Sequence, residues 1–201
     1  MRITDTVHMI PCDLPLMEAI RVVLSGRQRE VLEQTALPRA AVLVPLFQKA
    51  GACHLLLTRR SDHVKHHRGE ISFPGGTFDE EDGDLQRTAL REAREEIGLR
   101  EDAVRILGVL DDIETRTGFV VTPFAGVILS PYPFTLSERE IAELIEIPLS
   151  ALTGPDGYGE HEIVHEGQKR VVPSYRYGRH IIWGATARIL KQFLELLPVT
   201  R

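Results

Sequence analysis

Three glutamates, Glu92, Glu95 and Glu96, form the pattern with the clearest chemical potential. On a helix turning about 100° per residue, positions i, i+3 and i+4 share one face, so these carboxylates are neighbours. Like charges at this spacing are unfavourable unless a cation lies between them, and Mg²⁺ takes oxygen ligands of this kind. Residues 79–96 hold eight carboxylates and three arginines. The alternative is a solvated acidic face paired with those arginines.

A Phe-Pro-Gly-Gly turn at 73–76 precedes this helix, and its glycines allow backbone and side chains to approach a common ion. From Gly76 onward the chain resembles the Nudix box, GX5EX7REUXEEXGU with U apolar. The half REAREEIGL, residues 91–99, matches at every specified position. In the first half Asp82 replaces the usual Glu, and eight residues rather than seven separate it from Arg91. This departure bears on the contact between residues 82 and 91 and leaves the three glutamates unchanged.

A second stretch of sequence resembles one subfamily in particular. LLTRRS at 56–61 and GEISFPGG at 69–76 are similar to the signature upstream of the box in coenzyme A pyrophosphatases. Lys65 stands where that signature has Arg, which keeps the charge but loses the planar fork. Further matches at 117–123, 140–149 and 182–188 extend the similarity over residues 40 to 195.

The resemblance implies metal-dependent hydrolysis of coenzyme A or acyl-CoA to 3′,5′-ADP and 4′-phosphopantetheine or its acylated form. It implies Mg²⁺ or Mn²⁺ as the cofactor, since both suit carboxylate and water ligands. By the same resemblance Glu92 and Glu96 are the principal metal ligands, and Glu95 has an auxiliary and catalytic role. The carbonyl of Gly75 completes the shell, and Arg91 orients the carboxylates.

The general base stays open, because within the family it is either a box glutamate or a carboxylate from a later loop. Glu140 is the candidate outside the box, with Glu138 as its neighbour. The sequence SERE at 137–140 fits equally well a capping box that starts a short helix.

Four basic residues lie within ten positions, with Asp62 as the one acid among them: Arg59, Arg60, Lys65 and Arg68. Such a concentration suits the 3′-phosphate and diphosphate of coenzyme A, and the alternative is a solvated basic loop. Two other functions remain open. The same chemistry could act on ADP-ribose, NADH or a damaged nucleoside triphosphate, or the chain could be an inactive nucleotide-binding module.

Hydrophobic periodicity predicts the elements that would position these residues. We expect helices at 14–32, 84–97 and 185–197, and strands at 40–47, 53–58, 104–110, 119–129, 162–165 and 170–175. The strands are too apolar to leave one face in water, which predicts an α/β fold with a mixed β-sheet sandwiched between α-helices. The resemblance gives this as a Nudix fold. We expect one domain over 37–201, with 1–36 as a helical extension packed on it.

The composition limits the classes of partner that the chain is expected to bind. The 201 residues carry a net charge of -5 and contain no apolar run near bilayer length, which disfavours nucleic-acid and membrane partners. We therefore expect a cytoplasmic protein with a small-molecule nucleotide diphosphate substrate, and a homodimer remains open. Cys12 and Cys53 show no metal or disulfide spacing, which predicts two reduced thiols.

Overall fold

A computed structural model of the chain describes residues 10, 12–33, 36–62, 68–129, 131–154, 157–165 and 167–197. Lys65 lies outside the described residues. The helices are α1 Leu14–Gly26, α2 Leu85–Ile97, α3 Leu149–Thr153 and α4 Gly184–Glu195, with 3₁₀ turns at Glu80–Asp82 and Glu101–Ala103. The strands are β1 Arg39–Lys49, β2 Ala52–Arg60, β3 Ile71–Ser72, β4 Gly75–Thr77, β5 Val104–Val109, β6 Ile113–Glu114, β7 Val120–Ile128, β8 Ile141–Pro148, β9 Tyr158–His165, β10 Gln168–Tyr177 and β11 His180–Ile182.

The first eight strands form one mixed sheet. β1 is antiparallel to β2 and β4 and parallel to β7, while β7 is antiparallel to β5 and β6. β2 is also antiparallel to β3 and β8. The mixed sheet expected from the sequence is confirmed, and a separate antiparallel sheet of order β11-β10-β9 accompanies it.

Helices cover both faces of the large sheet, as predicted. Because side chains alternate along a strand, Ala41 and Leu43 of β1 pack in the cluster that contains α2. Val44 and Leu46 pack in the opposite cluster, which contains α1 and α4. Within the described ranges, none of these helices has the length and apolar character to cross a bilayer. The division of the chain at residue 36 stays a prediction.

The first helix is shorter than predicted, since α1 ends at Gly26 rather than residue 32. The following residues are held in another way: Arg27 is ion-paired with Asp111, and Arg29 with Asp112. Periodicity alone could not find this end, because the partners lie more than 80 positions away.

The prediction of two separate thiols is wrong, because Cys12 and Cys53 form a disulfide. Their Cα atoms are 4.2 Å apart although 41 positions separate them in the sequence. The Cys53 amide also donates to the carbonyl of Ile10 at 2.6 Å. The chain before α1 therefore lies against the start of β2, a tertiary contact that no local spacing reveals.

The capping box proposed for 137–140 is also wrong. The Ser137 carbonyl accepts hydrogen bonds of 2.8 Å from the amides of Glu140 and Ile141, which closes a turn that leads directly into β8. A capping box occurs instead at Asp79 and Asp82, where each side chain accepts from the other end of the 3₁₀ turn.

Candidate active site

The box glutamates lie on α2, whose two ends are fixed by local sequence. The Asp84 side chain accepts from the Arg87 amide at 2.9 Å, which caps the first turn. Gly98 ends the helix with φ 67°, a left-handed conformation that favours glycine. Between these caps, Ala89 and Ala93 are fully buried against the sheet. The helix rotation is therefore fixed: Glu92 faces the neighbouring turn, Glu96 faces that turn and the end of β2, and Glu95 is exposed.

Glu96 is the most buried of the three, with 2% of the residue exposed. Its carboxylate accepts from the Gly75 amide at 3.4 Å and lies 3.6 Å from Nη1 of Arg60. Burial raises the pKa of Glu96 to about 8, the nearby Arg60 opposes the shift, and the Glu92 and Glu140 charges add to it. A cation placed here would relieve both the burial cost and the repulsion.

Glu92 lies directly against the glycine turn. A Cβ at Gly76 would stand 2.4 to 2.6 Å from the atoms of the Glu92 carboxylate, so the site has no room for one. Burial raises the pKa of Glu92, while its contacts with Arg91 lower it. The charges of Glu95 and Glu140 raise it further. The Glu92 carboxylate is therefore close enough to Glu95 and Glu140 for their negative charges to repel it.

Gly75 lets the turn approach β1 closely. Its φ is 156°, and a Cβ there would lie 2.3 Å from the carbonyl oxygen of Ala41. Because the obstacle is backbone, no side-chain movement could remove it. The Gly75 carbonyl is predicted to complete the metal shell; in the structure it is the Gly75 amide that contacts the site, by donating to Glu96.

Arg91 connects the helix to the preceding turn. It donates to Asp82 from Nε at 2.6 Å and from Nη2 at 3.1 Å, and its Nη1 donates to Glu92 at 2.8 Å and Glu95 at 3.3 Å. The hydrogen bond from Arg91 holds the pKa of Asp82 at about 2, against the opposing effect of burial and with help from Thr88. The 3₁₀ turn thus brings the shorter, displaced acid to the arginine despite the extra residue in the box.

The two candidate bases outside the helix differ in position. The Glu140 carbonyl accepts from the Ser61 amide at 2.7 Å, and the Glu140 charge raises the pKa of both Glu92 and Glu96. Glu138 lines an adjacent cavity of about 620 Å³ between Ser61 and Thr135. Both glutamates are exposed, so water reaches them.

The basic segment divides at the end of β2. Arg60 is directed to Glu96, whereas Arg59 lies 3.5 Å from Glu143 on β8. Arg68 is exposed. The contact between Arg59 and Glu143 was not predicted from the sequence. Glu143 also accepts a hydrogen bond from Arg179, which is 36 positions away from it. No motif in the sequence signals this contact.

The donors fit a divalent cation in their chemistry, since hard cations prefer carboxylate oxygens. Glu96 is buried beside like charges, and Glu92 fills the space left by Gly76. Within the part of the chain that the structure describes, no three acidic, His or Cys side chains are gathered as a metal site. Instead, Arg60 and Arg91 contact the carboxylates that a metal would use.

Comparisons with known proteins show the family to which the chain belongs. The NUDIX domain family model matches residues 37–152. The chain is 38% identical over 161 residues to proteins named Uncharacterized Nudix hydrolase NudL from Yersinia pestis (strain Pestoides F) and Yersinia pseudotuberculosis serotype O:1b (strain IP 31758). Each alignment covers 80% of this chain and 80% of the relative.

A solved structure supports the fold over a longer stretch. The MutT/nudix family protein from Enterococcus faecalis matches 90% of this chain and 79% of its own, with a TM-score of 0.50. At 15% identity this likeness shows the fold alone. The match over residues 37–152 and the Yersinia relatives establish that the chain belongs to the Nudix family of hydrolases, which act on diphosphate linkages.

Proposed function

We propose that this Nudix hydrolase cleaves the diphosphate of coenzyme A or an acyl-CoA, releasing 3′,5′-ADP and 4′-phosphopantetheine or its acylated form. The observation that carries the proposal is the distance of 3.6 Å between Nη1 of Arg60 and the carboxylate of Glu96. Arg60 belongs to the upstream signature and Glu96 to the box. The contact brings the two motifs into one site, where a diphosphate can meet a cationic side chain and the metal-binding carboxylates together.

The metal would be Mg²⁺ or Mn²⁺, held by Glu92 and Glu96, with Glu95 as an auxiliary ligand and the Gly75 carbonyl completing the shell. When bound, such a cation stabilises charge on the phosphate oxygens and lowers the pKa of a bound water. The buried position of Glu96 supports this role, because a divalent cation is the natural partner of a carboxylate with so little solvent around it.

The chain's own residues supply orientation and proton transfer. Arg91 is a positioning residue, because it fixes Glu92 and Glu95 through one nitrogen. Glu140 is our candidate for the base that takes the proton of the attacking water, and Glu95, half exposed, is the alternative. Each is reachable by solvent and lies near the carboxylates that its charge perturbs.

For the substrate, Arg60 would turn from Glu96 to a diphosphate oxygen. Arg59, Arg68 and Lys65 would add positive charge beside it, Lys65 from outside the described residues. A guanidinium binds phosphate through paired N–H donors, so Arg60 is the residue we expect to align the scissile bond.

Product analysis tests the proposal. The purified chain is incubated with Mg²⁺ or Mn²⁺ and, in parallel, coenzyme A, ADP-ribose, NADH and 8-oxo-dGTP, with EDTA as the control. We expect 3′,5′-ADP from coenzyme A to form fastest and EDTA to stop its release. Faster cleavage of another substrate would refute the coenzyme A assignment and leave the metal site standing. Absence of turnover on all four would favour a nucleotide-binding module.

A further inference from the structure

A cavity of about 620 Å³ opens beside the end of β2, where the chain leaves the sheet at Ser61 and Asp62. Its opposite wall is formed by residues between 135 and 142, the stretch that leads into β8. Sites for small molecules are concave, mostly apolar and about 300 to 1,000 Å³ in volume. The cavity therefore has the size of a site for one arm of a substrate that is bound at the box.

The wall at 135–142 is fastened to the helix that carries the box. The Ser137 amide donates to the carbonyl of Glu96 at 2.9 Å, and the Thr135 amide donates to the carbonyl of Ile97 at 3.0 Å. The last carbonyls of a helix have no partner within the helix, so these hydrogen bonds satisfy groups that would otherwise need water. They also hold the wall at a fixed position relative to the box glutamates.

The cavity lies on the same face of the sheet as the box. The pairing of β2 with β8 skips Ala142, because Arg59 pairs with Glu143 and Arg60 pairs with Ile141. In such a bulge two residues of one strand stand opposite one residue of the other, so Ile141 and Ala142 both stand opposite Arg60. Nη1 of Arg60 is 3.6 Å from a box carboxylate. The two residues that line the cavity here are therefore neighbours of the arginine that reaches the box.

The lining of the cavity suits an uncharged, partly apolar group. Leu136 and Ile141 supply apolar side chains, whereas the exposed carboxylates of Asp62 and Glu138 lie at the rim. Arg59 lies 3.7 Å from Asp62 and offsets part of that charge. None of the described residues that line the cavity is itself basic. A phosphate placed here would meet carboxylates of like charge, which makes the cavity unfavourable for a phosphorylated group.

The two halves of coenzyme A differ in this respect. The nucleoside half carries a 3′-phosphate. The pantetheine half is uncharged beyond the diphosphate, and it begins with a carbon that bears two methyl groups. Burial of such methyl groups against an apolar wall stabilises a complex, and an uncharged arm is not repelled by the carboxylates at the rim.

We infer that this cavity binds the uncharged arm of the substrate, which is the pantetheine of coenzyme A, while the diphosphate lies at the box. The inference rests on the proposed function, because it takes coenzyme A as the substrate. It adds Leu136, Ile141 and Ala142 to the residues that determine specificity.

Calorimetry with the two reaction products tests which half of the substrate occupies the cavity. The full chain is titrated in Mg²⁺ with 4′-phosphopantetheine and with 3′,5′-ADP, as wild type, as Ala142→Phe and as Ala36→Phe. Ala142 is exposed on a strand, where phenylalanine is well tolerated, and the added ring would fill part of the cavity. Ala36 is an exposed alanine ahead of β1 and gives the matched control.

We expect Ala142→Phe to bind 4′-phosphopantetheine at least about tenfold more weakly than the wild type, as when two methyl groups stay in water. Its affinity for 3′,5′-ADP should be unchanged, and Ala36→Phe should bind both products like the wild type. Thermal denaturation checks that Ala142→Phe is folded. Ala142→Leu adds a smaller group and should weaken 4′-phosphopantetheine binding in the same direction, which keeps the test decisive if the phenylalanine variant does not fold.

Three results would overturn the inference. One is wild-type affinity for 4′-phosphopantetheine in Ala142→Phe, and another is a wild type that does not bind this product. The third is a loss of 3′,5′-ADP binding in Ala142→Phe that equals or exceeds the loss for 4′-phosphopantetheine, because the nucleoside half would then lie in or across the cavity.

Turnover of coenzyme A separates this inference from the proposed function. If the wild type does not cleave coenzyme A while 4′-phosphopantetheine binding still depends on Ala142, the proposed function fails and the cavity assignment stands. If coenzyme A is cleaved and Ala142→Phe changes neither kcat/KM nor the binding of 4′-phosphopantetheine, the cavity assignment fails and the proposed function stands.

Discussion

Arg91 and Asp82 are nine positions apart and are joined by two hydrogen bonds, 2.6 Å from Nε and 3.1 Å from Nη2. The same guanidinium reaches Glu92 and Glu95 through Nη1. Asp82 thereby fixes the arginine that positions the box carboxylates. The shorter side chain and the extra residue in this box are accommodated by the 3₁₀ turn, and the contact is kept.

Removing Asp82 should destabilise the protein. Asp82→Ala leaves Arg91 without its closest partner and also removes the acceptor for Thr88, so we expect a loss of about 3 kcal/mol in the free energy of unfolding. Urea denaturation measures the change. Asp84→Ala, which removes an exposed helix cap, is the comparison and should cost about 1 kcal/mol. A smaller loss for Asp82→Ala than for Asp84→Ala would show that the contact between Asp82 and Arg91 does not stabilise the fold.

Glu96 should make the metal-free protein less stable as the pH rises. Its pKa is about 8 in the folded chain and about 4.3 when unfolded, so the folded state favours the protonated form. The stabilisation is complete below about pH 4 and is lost as the pH rises through 8, by an amount on the order of a few kcal/mol. Urea denaturation in EDTA at several pH values measures this slope.

Glu96→Gln should remove most of that slope, because the amide does not titrate. Glu101→Gln changes an exposed glutamate outside the site and should keep it. The same slope in the wild type and Glu96→Gln would show that Glu96 does not titrate in this way.

The two glycines of the turn should respond differently to alanine. At Gly75 the new Cβ would meet backbone of Ala41, so Gly75→Ala should lower the melting temperature strongly. At Gly76 it would meet the movable end of the Glu92 side chain, so Gly76→Ala should fold normally but bind Mn²⁺ more weakly. Calorimetry measures the melting temperatures, and electron paramagnetic resonance of free Mn²⁺ measures metal binding. Wild-type metal binding in Gly76→Ala would refute the placement of Glu92 in the site.

Arg60 should compete with the metal for Glu96. In Arg60→Ala the carboxylate loses its nearby cation, and we expect Mn²⁺ to bind about fivefold more tightly, equivalent to about 1 kcal/mol. Coenzyme A should bind more weakly to the same variant, because a phosphate donor is lost. Arg94→Ala, an exposed arginine of α2, is the control. Unchanged or weaker Mn²⁺ binding in Arg60→Ala would contradict the competition.

The disulfide between Cys12 and Cys53 closes a loop with a sequence separation of 41, which should stabilise the fold by about 4 kcal/mol through chain entropy. The untreated protein should be lighter than the reduced one by two hydrogen atoms. Reductant should lower the melting temperature of the wild type and leave Cys12→Ser unchanged. Equal masses before and after reduction would show that the thiols are free.

Local periodicity was sufficient where an element is amphipathic and capped. The predicted helix at 84–97 lies within one residue of α2, because an aspartate cap and Gly98 mark its ends. The strands predicted at 40–47 and 53–58 correspond to the hairpin of β1 and β2. The spacing of the box glutamates also predicts that they share one face of this helix.

Long-range contacts could not be predicted from local sequence patterns. β8 was missed because residues 137–140 have the composition of a helix start, and the strand pairing with β2 overrides that preference. β11 has only three residues, too few for a periodic pattern. The convergence of Arg59 and Arg179 on Glu143 depends on how the small sheet meets the large one, which no local rule specifies.

Turnover of coenzyme A by Glu96→Gln shows whether Glu96 holds the metal that hydrolysis needs. Release of 3′,5′-ADP is followed at saturating Mg²⁺ for this variant, the wild type and Glu101→Gln. Losing a direct metal ligand should cost more than the roughly 10–100-fold typical of an outer-shell partner, so we expect the Glu96→Gln rate to fall by more than about a hundredfold. Glu101→Gln should keep the wild-type rate. Hydrolysis by Glu96→Gln at the wild-type rate would contradict the assignment of Glu96 to the metal site.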